Sequence, residues 1–113
     1  MLVEFENISD NSRIWIYASP IFLNDENETY ISQLLSNHLE SWQAHQVSLT
    51  AAHTILENHF IVIALDENIA GASGCSIDNL QHKIQEIENY LAVSLTNRLN
   101  VFCIVDDKIN CVP

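Results

Sequence analysis

The chain has 113 residues, 48% of them hydrophobic, which is enough for one domain with its own core and no metal or disulfide staples. Its 15 acidic residues against 4 basic ones give a formal charge of -11, which repels nucleic-acid phosphates and anionic lipid surfaces and so argues against both as partners. No run approaches the ~18 to 20 apolar residues that cross a bilayer, and the opening MLVEFENISD carries acids where a signal peptide carries bases, so a cytoplasmic protein is expected.

In chain order, RIWIYA (Arg13 to Ala18) is short and rich in β-branched and aromatic residues, and Ser19-Pro20 ends it, because proline cannot donate to a ladder. This is a first strand. From Asn24 to His45 the apolar residues Ile31, Leu34, Leu35, Leu39 and Trp42 recur at helical spacing, with Asn24 or Asp25 as cap and acids in the first turn where the helix dipole favours them. The spacing predicts a helix that ends near His45, with Trp42 on its core stripe. TAAHTILE and HFIVIALD are two further strands joined at Glu57-Asn58-His59, where Asn58 supplies the left-handed backbone of a tight turn. The run Phe60 to Leu65 is continuously apolar, as in the middle of a sheet.

After the loop GASGCSID, which holds both glycines, Ile77, Leu80, Ile84, Ile87 and Leu91 form the stripe of a second helix, with Ser76 or Asp78 as its expected N-cap. NVFCIV and KINCV then flank Asp106-Asp107 as a closing hairpin. If Asp106, Asp107 and Lys108 form a three-residue loop, Cys103 faces Cys111 across that ladder. The order β-α-β-β-α-β plus one strand predicts an α+β domain over residues 1–113. The expected architecture is a ferredoxin-like sandwich, an antiparallel sheet in spatial order 4-1-3-2 with both helices on one face. Alternation along the first strand puts Trp15 and Tyr17 on one face and Ile14 and Ile16 on the other. The expectation is that Trp15 and Tyr17 lie on the uncovered face and call for a partner, a second subunit first of all.

Chemistry is expected first at GASGCSID. In the proposed strand order this loop lies where the first helix finishes, near Arg13, His45 and His53. A thiol at a helix start beside a cation or an imidazole is the setting in which a cysteine becomes a nucleophile, so Cys75 is the candidate catalytic residue with His45 and His53 as helpers. Ser73, Gly74, Ser76, Arg13, Trp15 and Tyr17 are the candidate binding residues. The structural alternative gives Gly71 and Gly74 positive φ angles, makes Ser73 and Ser76 caps and buries Cys75 as a small apolar residue. A backbone anion site at the same helix start is opposed by Asp66, Glu67 and Asp78.

The loop has no lysine after Gly74 and so is no P-loop, and its glycine spacing does not match a dinucleotide fingerprint. The five histidines, His38, His45, His53, His59 and His82, show no metal-ligand spacing, and no cofactor is implied. Cys75, Cys103 and Cys111 are odd in number and form no C-x-x-C, which reads as free thiols in a reducing compartment.

At SRIWIYAS, GASGCSID and NRLNVFCIV the sequence resembles a family of small Bacteroidetes-type bacterial proteins of unknown function that are often labelled ABC transporter ATPases. The resemblance runs along most of the chain, and GCSID is its most specific stretch. It implies a bacterial cytosolic protein. The label implies an ATPase, for which the chain has no Walker motif and too little length. Members of that family extend past the equivalent of Pro113, which implies a short relative or a piece of a longer chain. Two functions are therefore carried forward. One is a non-catalytic binding or assembly module that pairs as a homodimer through its sheet face, and the other is a thiol-dependent enzyme or redox sensor centred on Cys75.

Overall fold

The computed structural model of the chain describes residues 1–97 and the backbone of two strands, Val101–Val105 and Lys108–Val112. The fold is α+β. β1 (Arg13–Ala18), α1 (Asp25–Glu40), a small hairpin of β2 (Gln43–Ala44) and β3 (Val47–Ser48), β4 (Thr50–Leu56), β5 (Phe60–Asp66) and α2 (Gly74–Leu91) follow in order, and then β6 (Val101–Val105) and β7 (Lys108–Val112).

The first three long strands pair antiparallel in the order β1-β5-β4, which is the expected 1-3-2 portion of the sheet, with the apolar β5 at its centre. The fourth position is not filled among the described residues. β6 pairs with β7 in a separate two-stranded sheet, so the ferredoxin-like order is not formed and β1 remains an edge strand.

The register of β6 and β7 also corrects the closing hairpin. Cys111 stands opposite Phe102 and Cys103 opposite Asn110, so the two cysteines are offset by one position in the ladder. Lys108 belongs to β7, and the strands are separated by two residues instead of three. The connecting residues 106 and 107 lie outside the described residues.

Local chemistry explains where the helices start. Asn24 caps α1, its side chain accepting from the Asn27 N–H while Asn27 Oδ1 accepts from the Asn24 N–H. That reciprocal pair satisfies two of the N–H groups a helix start leaves unpaired. α1 buries Ile31, Leu35 and Leu39 of the expected stripe, leaves Leu34 partly buried, and stops at Glu40. Trp42 continues the helical phase but lies beyond the helix, 2% exposed and fully in the core. The chain then turns back through His45 and Gln46, both with positive φ (50° and 65°), to form the β2-β3 hairpin. His45 is thus a turn residue and not the end of a helix. The turn between β4 and β5 uses the same conformation at Glu57 and Asn58. Asn58 Nδ2 donates to the Leu23 carbonyl and to Glu28, which ties this turn to the start of α1.

Both helices cover the same face of the sheet. The core joins Ile31, Leu35, Leu39 and Trp42 with Ile61, Ile63 and Leu65 of β5 and Leu80, Ile84, Ile87 and Leu91 of α2. Tyr17 belongs to this face, 6% exposed, with its hydroxyl accepting from Gln81 Nε2 at 2.5 Å. Trp15 is half-buried beside it. The expected face assignment is therefore inverted: Trp15 and Tyr17 point under the helices, and Ile14 and Ile16 point away.

The far face is not bare. Residues 1–3 run parallel beside β4, where the Val3 N–H donates to Ala51 O at 2.9 Å. The chain next passes through a short 3-10 helix, Phe5–Asn7, and crosses to β1 at the opposite edge. Phe5, Ile8 and Ser12 of this crossing segment line a cavity together with Ile14. In the register, Ile14-Ala64-Ala52 and Ile16-Val62-Thr54 form the rows of this face. Ala52, Ala64 and Val62 in its middle are buried, whereas Ile14 (45%), Ile16 (64%) and Leu56 (48%) are exposed.

Candidate functional site

The glycine loop does lie at the end of the sheet where α1 finishes. Trp42, two residues past α1, donates its indole N–H to the Ser76 carbonyl at 2.9 Å, which locks the first turn of α2 to the floor of that corner. Trp15 stands edge-on to Trp42 with centroids 6.0 Å apart, and the Arg13 guanidinium lies 4.8 Å over the Trp15 ring. Arg13, Trp15, Trp42 and the start of α2 thus form one contiguous cluster. The two indoles supply its packing and the stacked cation closes its outer side.

Within the loop the polar groups are committed to the backbone. Ser73 is the N-cap of α2, three residues earlier than Ser76 and five before Asp78. Its Oγ accepts from the Ser76 N–H at 3.1 Å, Ser76 Oγ accepts from the Ser73 N–H at 2.7 Å, and Ser76 Oγ donates to the Ser73 carbonyl at 2.8 Å. Glu67 Oε2 accepts from the Ala72 N–H at 3.0 Å, which puts a carboxylate beside the donors an anion would need.

Neither glycine has a positive φ. At Gly71 a Cβ would meet Glu67 Oε2, the far end of a flexible side chain, at 2.9 Å, whereas Gly74 is the first residue of α2 with open space around it. Cys75 is free and exposed in the first turn of the helix, not buried as a small apolar residue. No hydrogen bond among the described residues joins it to His45 or His53.

His53 sits elsewhere. On β4 it shares a row with Ile63 and Trp15, faces α1, and hydrogen-bonds through Nε2 to Ser36 Oγ at 2.8 Å. Burial pushes its pKa below the ordinary imidazole value. His38 on α1 is shifted the same way, first by burial and then by Lys83, with Glu86 opposing. Ser36 carries no signal in the sequence, being one of several serines and asparagines on the polar side of α1. Only the pairing of α1 with β4 brings it to His53.

His59 is 5% exposed with Nδ1 at 2.8 Å from the Ser19 carbonyl. Among the described residues no group of three or more His, Cys, Asp or Glu side chains is arranged to hold a metal ion, and no helix is long and apolar enough to cross a membrane.

The candidate surface that remains is β1 itself. Among the described residues its six residues pair with β5 on one side only, and its far-face side chains Ile14 and Ile16 are exposed. A regular strand with an open edge and β-branched apolar residues carries a row of unpaired backbone donors and acceptors ready for another strand. No protein-family model matches the sequence, and neither the curated proteins nor the solved structures yield a match.

Proposed function

We propose that the protein is an assembly module that pairs with a second copy of itself along β1. The observation that carries this reading is the combination of a free edge with Ile14 and Ile16 exposed on the same strand. A two-fold pairing of antiparallel β1 strands centred on Trp15 sets Ile14 of one copy opposite Ile16 of the other, twice, because a two-fold interface repeats each contact. The sheet would then run through six strands, and apolar area that each copy exposes alone would be removed from water.

A second reading has a specific observation behind it. α2 lies beside β1 through Tyr17 and Gln81, and its last turn meets the start of α1, where Tyr90 stacks on Tyr30 at 3.8 Å and accepts from Asn27. The chain therefore leaves α2 at the Ala18 end of β1. From there β6 would run antiparallel along the free edge and complete the ferredoxin-like sheet. The thiol-centred alternative rests on Cys75 alone.

Sedimentation equilibrium of the unmodified protein and of the double variant Ile14→Glu, Ile16→Glu separates the two occupants. Pairing of copies predicts a dimer that the double variant converts to a folded monomer, since each glutamate would be forced into an apolar contact without a partner. A monomer at all concentrations, with β1 amides protected from hydrogen exchange on both edges, would overturn it in favour of β6.

A further inference from the structure

The Ser36–His53 contact opens onto a cavity of ≈ 570 Å³ lined by Leu2, Val3, Glu4, Phe5, Ser36 and His53. That volume lies within the ~300 to 1,000 Å³ range of small-molecule sites, and the lining sets the apolar Leu2, Val3 and Phe5 beside the polar Glu4, Ser36 and His53. The polar pair is set on rigid elements. Ser36 lies in the fourth turn of α1 and His53 in the middle of β4, which α1 packs against.

We propose that Ser36 and His53 form a nucleophile–base pair for acyl transfer from a carboxylic ester with a small aliphatic acyl group. A serine hydroxyl is a weak nucleophile on its own and needs an acceptor within hydrogen-bond reach, about 2.6 to 3.2 Å, to take its proton as the new bond forms. The separation here is 2.8 Å, between the reacting atoms themselves. In the Nδ1–H tautomer, Nε2 accepts from the Ser36 hydroxyl. Burial keeps the imidazole neutral and hence able to accept at neutral pH.

The chemistry balances without any further cofactor. Ser36 Oγ bonds to the acyl carbon as its proton passes to His53 Nε2, and the ester C–O bond then breaks, with the departing alcohol oxygen taking that proton. Water next adds to the acyl carbon, giving a proton to Nε2. The bond to Oγ breaks, Oγ recovers the proton, and a carboxylic acid leaves.

The walls define the substrate. Leu2, Val3 and Phe5 fit an aliphatic acyl chain, and Glu4 in the same lining, with Glu40 accepting from the Leu2 N–H close by, opposes an anionic substrate. Uncharged or cationic esters are therefore the class, and phosphate esters are not. Among the described residues no carboxylate holds His53 Nδ1, so the pair lacks the third member that orients the base in a triad, and turnover is expected to be slow.

The test is covalent and does not depend on turnover. A fluorophosphonate probe should form one adduct on Ser36, located by peptide mass spectrometry, with loss of fluoride. The rate should fall by ~10²-fold or more in His53→Gln, the loss expected for a positioned general base. The adduct should vanish in Ser36→Ala, and p-nitrophenyl butyrate hydrolysis should vanish with it. Labelling spread over surface serines such as Ser32, or an undiminished rate in His53→Gln, would overturn the proposal. If either variant fails to fold by circular dichroism, the adduct map of the unmodified protein decides alone, and an unlabelled Ser36 there refutes it.

Discussion

Replacing Ser73 and Ser76 tests whether the start of α2 is a cap or a binding loop. Ser73→Ala removes one acceptor, the one that receives the Ser76 N–H, and loss of an N-cap of this kind costs ~1 kcal/mol. Ser76→Ala removes two bonds at once, the one accepted from the Ser73 N–H and the one donated to the Ser73 carbonyl, and it does so at a residue 1% exposed. At ~0.5 to 1.5 kcal/mol per bond, that is ~1 to 3 kcal/mol. With an unfolding entropy of ~2.1 cal/mol/K per residue, a chain of this size loses ~4 °C of Tm per kcal/mol.

Thermal melts followed by circular dichroism should therefore show a drop of ~4 °C for Ser73→Ala and ~4 to 12 °C for Ser76→Ala. Ser73→Asp should recover most of the first loss, since aspartate caps as well as serine does. The double variant should cost less than the two singles together, because a frayed first turn has already lost the geometry both serines need. Unchanged melts for both single variants would refute the reasoning and return these hydroxyls to the pool of candidate ligand contacts.

Gly74→Ala should be neutral or stabilising by up to ~1 kcal/mol in urea titrations, since Gly74 is helical with open space around it, whereas Gly71→Ala should destabilise by displacing Glu67 from the Ala72 N–H. Ala92 closes α2 with φ 58°, so Ala92→Gly should stabilise by ~0.5 to 1 kcal/mol in the same assay. His38 and His53 both have folded pKa values lowered from 6.5, so the unfolded chain binds protons more readily. Stability from these groups is fully present above pH ~6.5 and falls as the pH drops through their folded values, which a Tm series from pH 8 to pH ~5 should show and His53→Gln should reduce.

The periodicities in the sequence specify what repeats and not what covers it. Alternation along β1 correctly separates Trp15 and Tyr17 from Ile14 and Ile16, yet nothing in a period of two says which side receives helices. The aromatics go inward because Trp42 and Gln81 provide an edge for the indole and a donor for the phenol, and those partners arrive from distant parts of the chain. The same limit extended α1 too far. Trp42 falls in helical phase, while the β2-β3 turn uses His45 and Gln46 in left-handed backbone without the glycine or asparagine that would have marked it. The corner joining Arg13 to the glycine loop was legible, because strand order alone places it. Ser36 beside His53 was not, since their contact depends on how α1 sits over β4.

Trp15 and Trp42 are the two tryptophans of the chain, and they touch each other at the corner that holds Arg13 and the start of α2. The tryptophan fluorescence of the protein therefore comes from a single locus, and edge-to-face indoles at 6.0 Å couple as an exciton pair with its own circular-dichroism signature. His38 lies 5.9 Å from Trp42, so protonation of its ring would quench the emission. The molecule carries a built-in optical probe, free of any label, at the junction where strand, helix and loop meet.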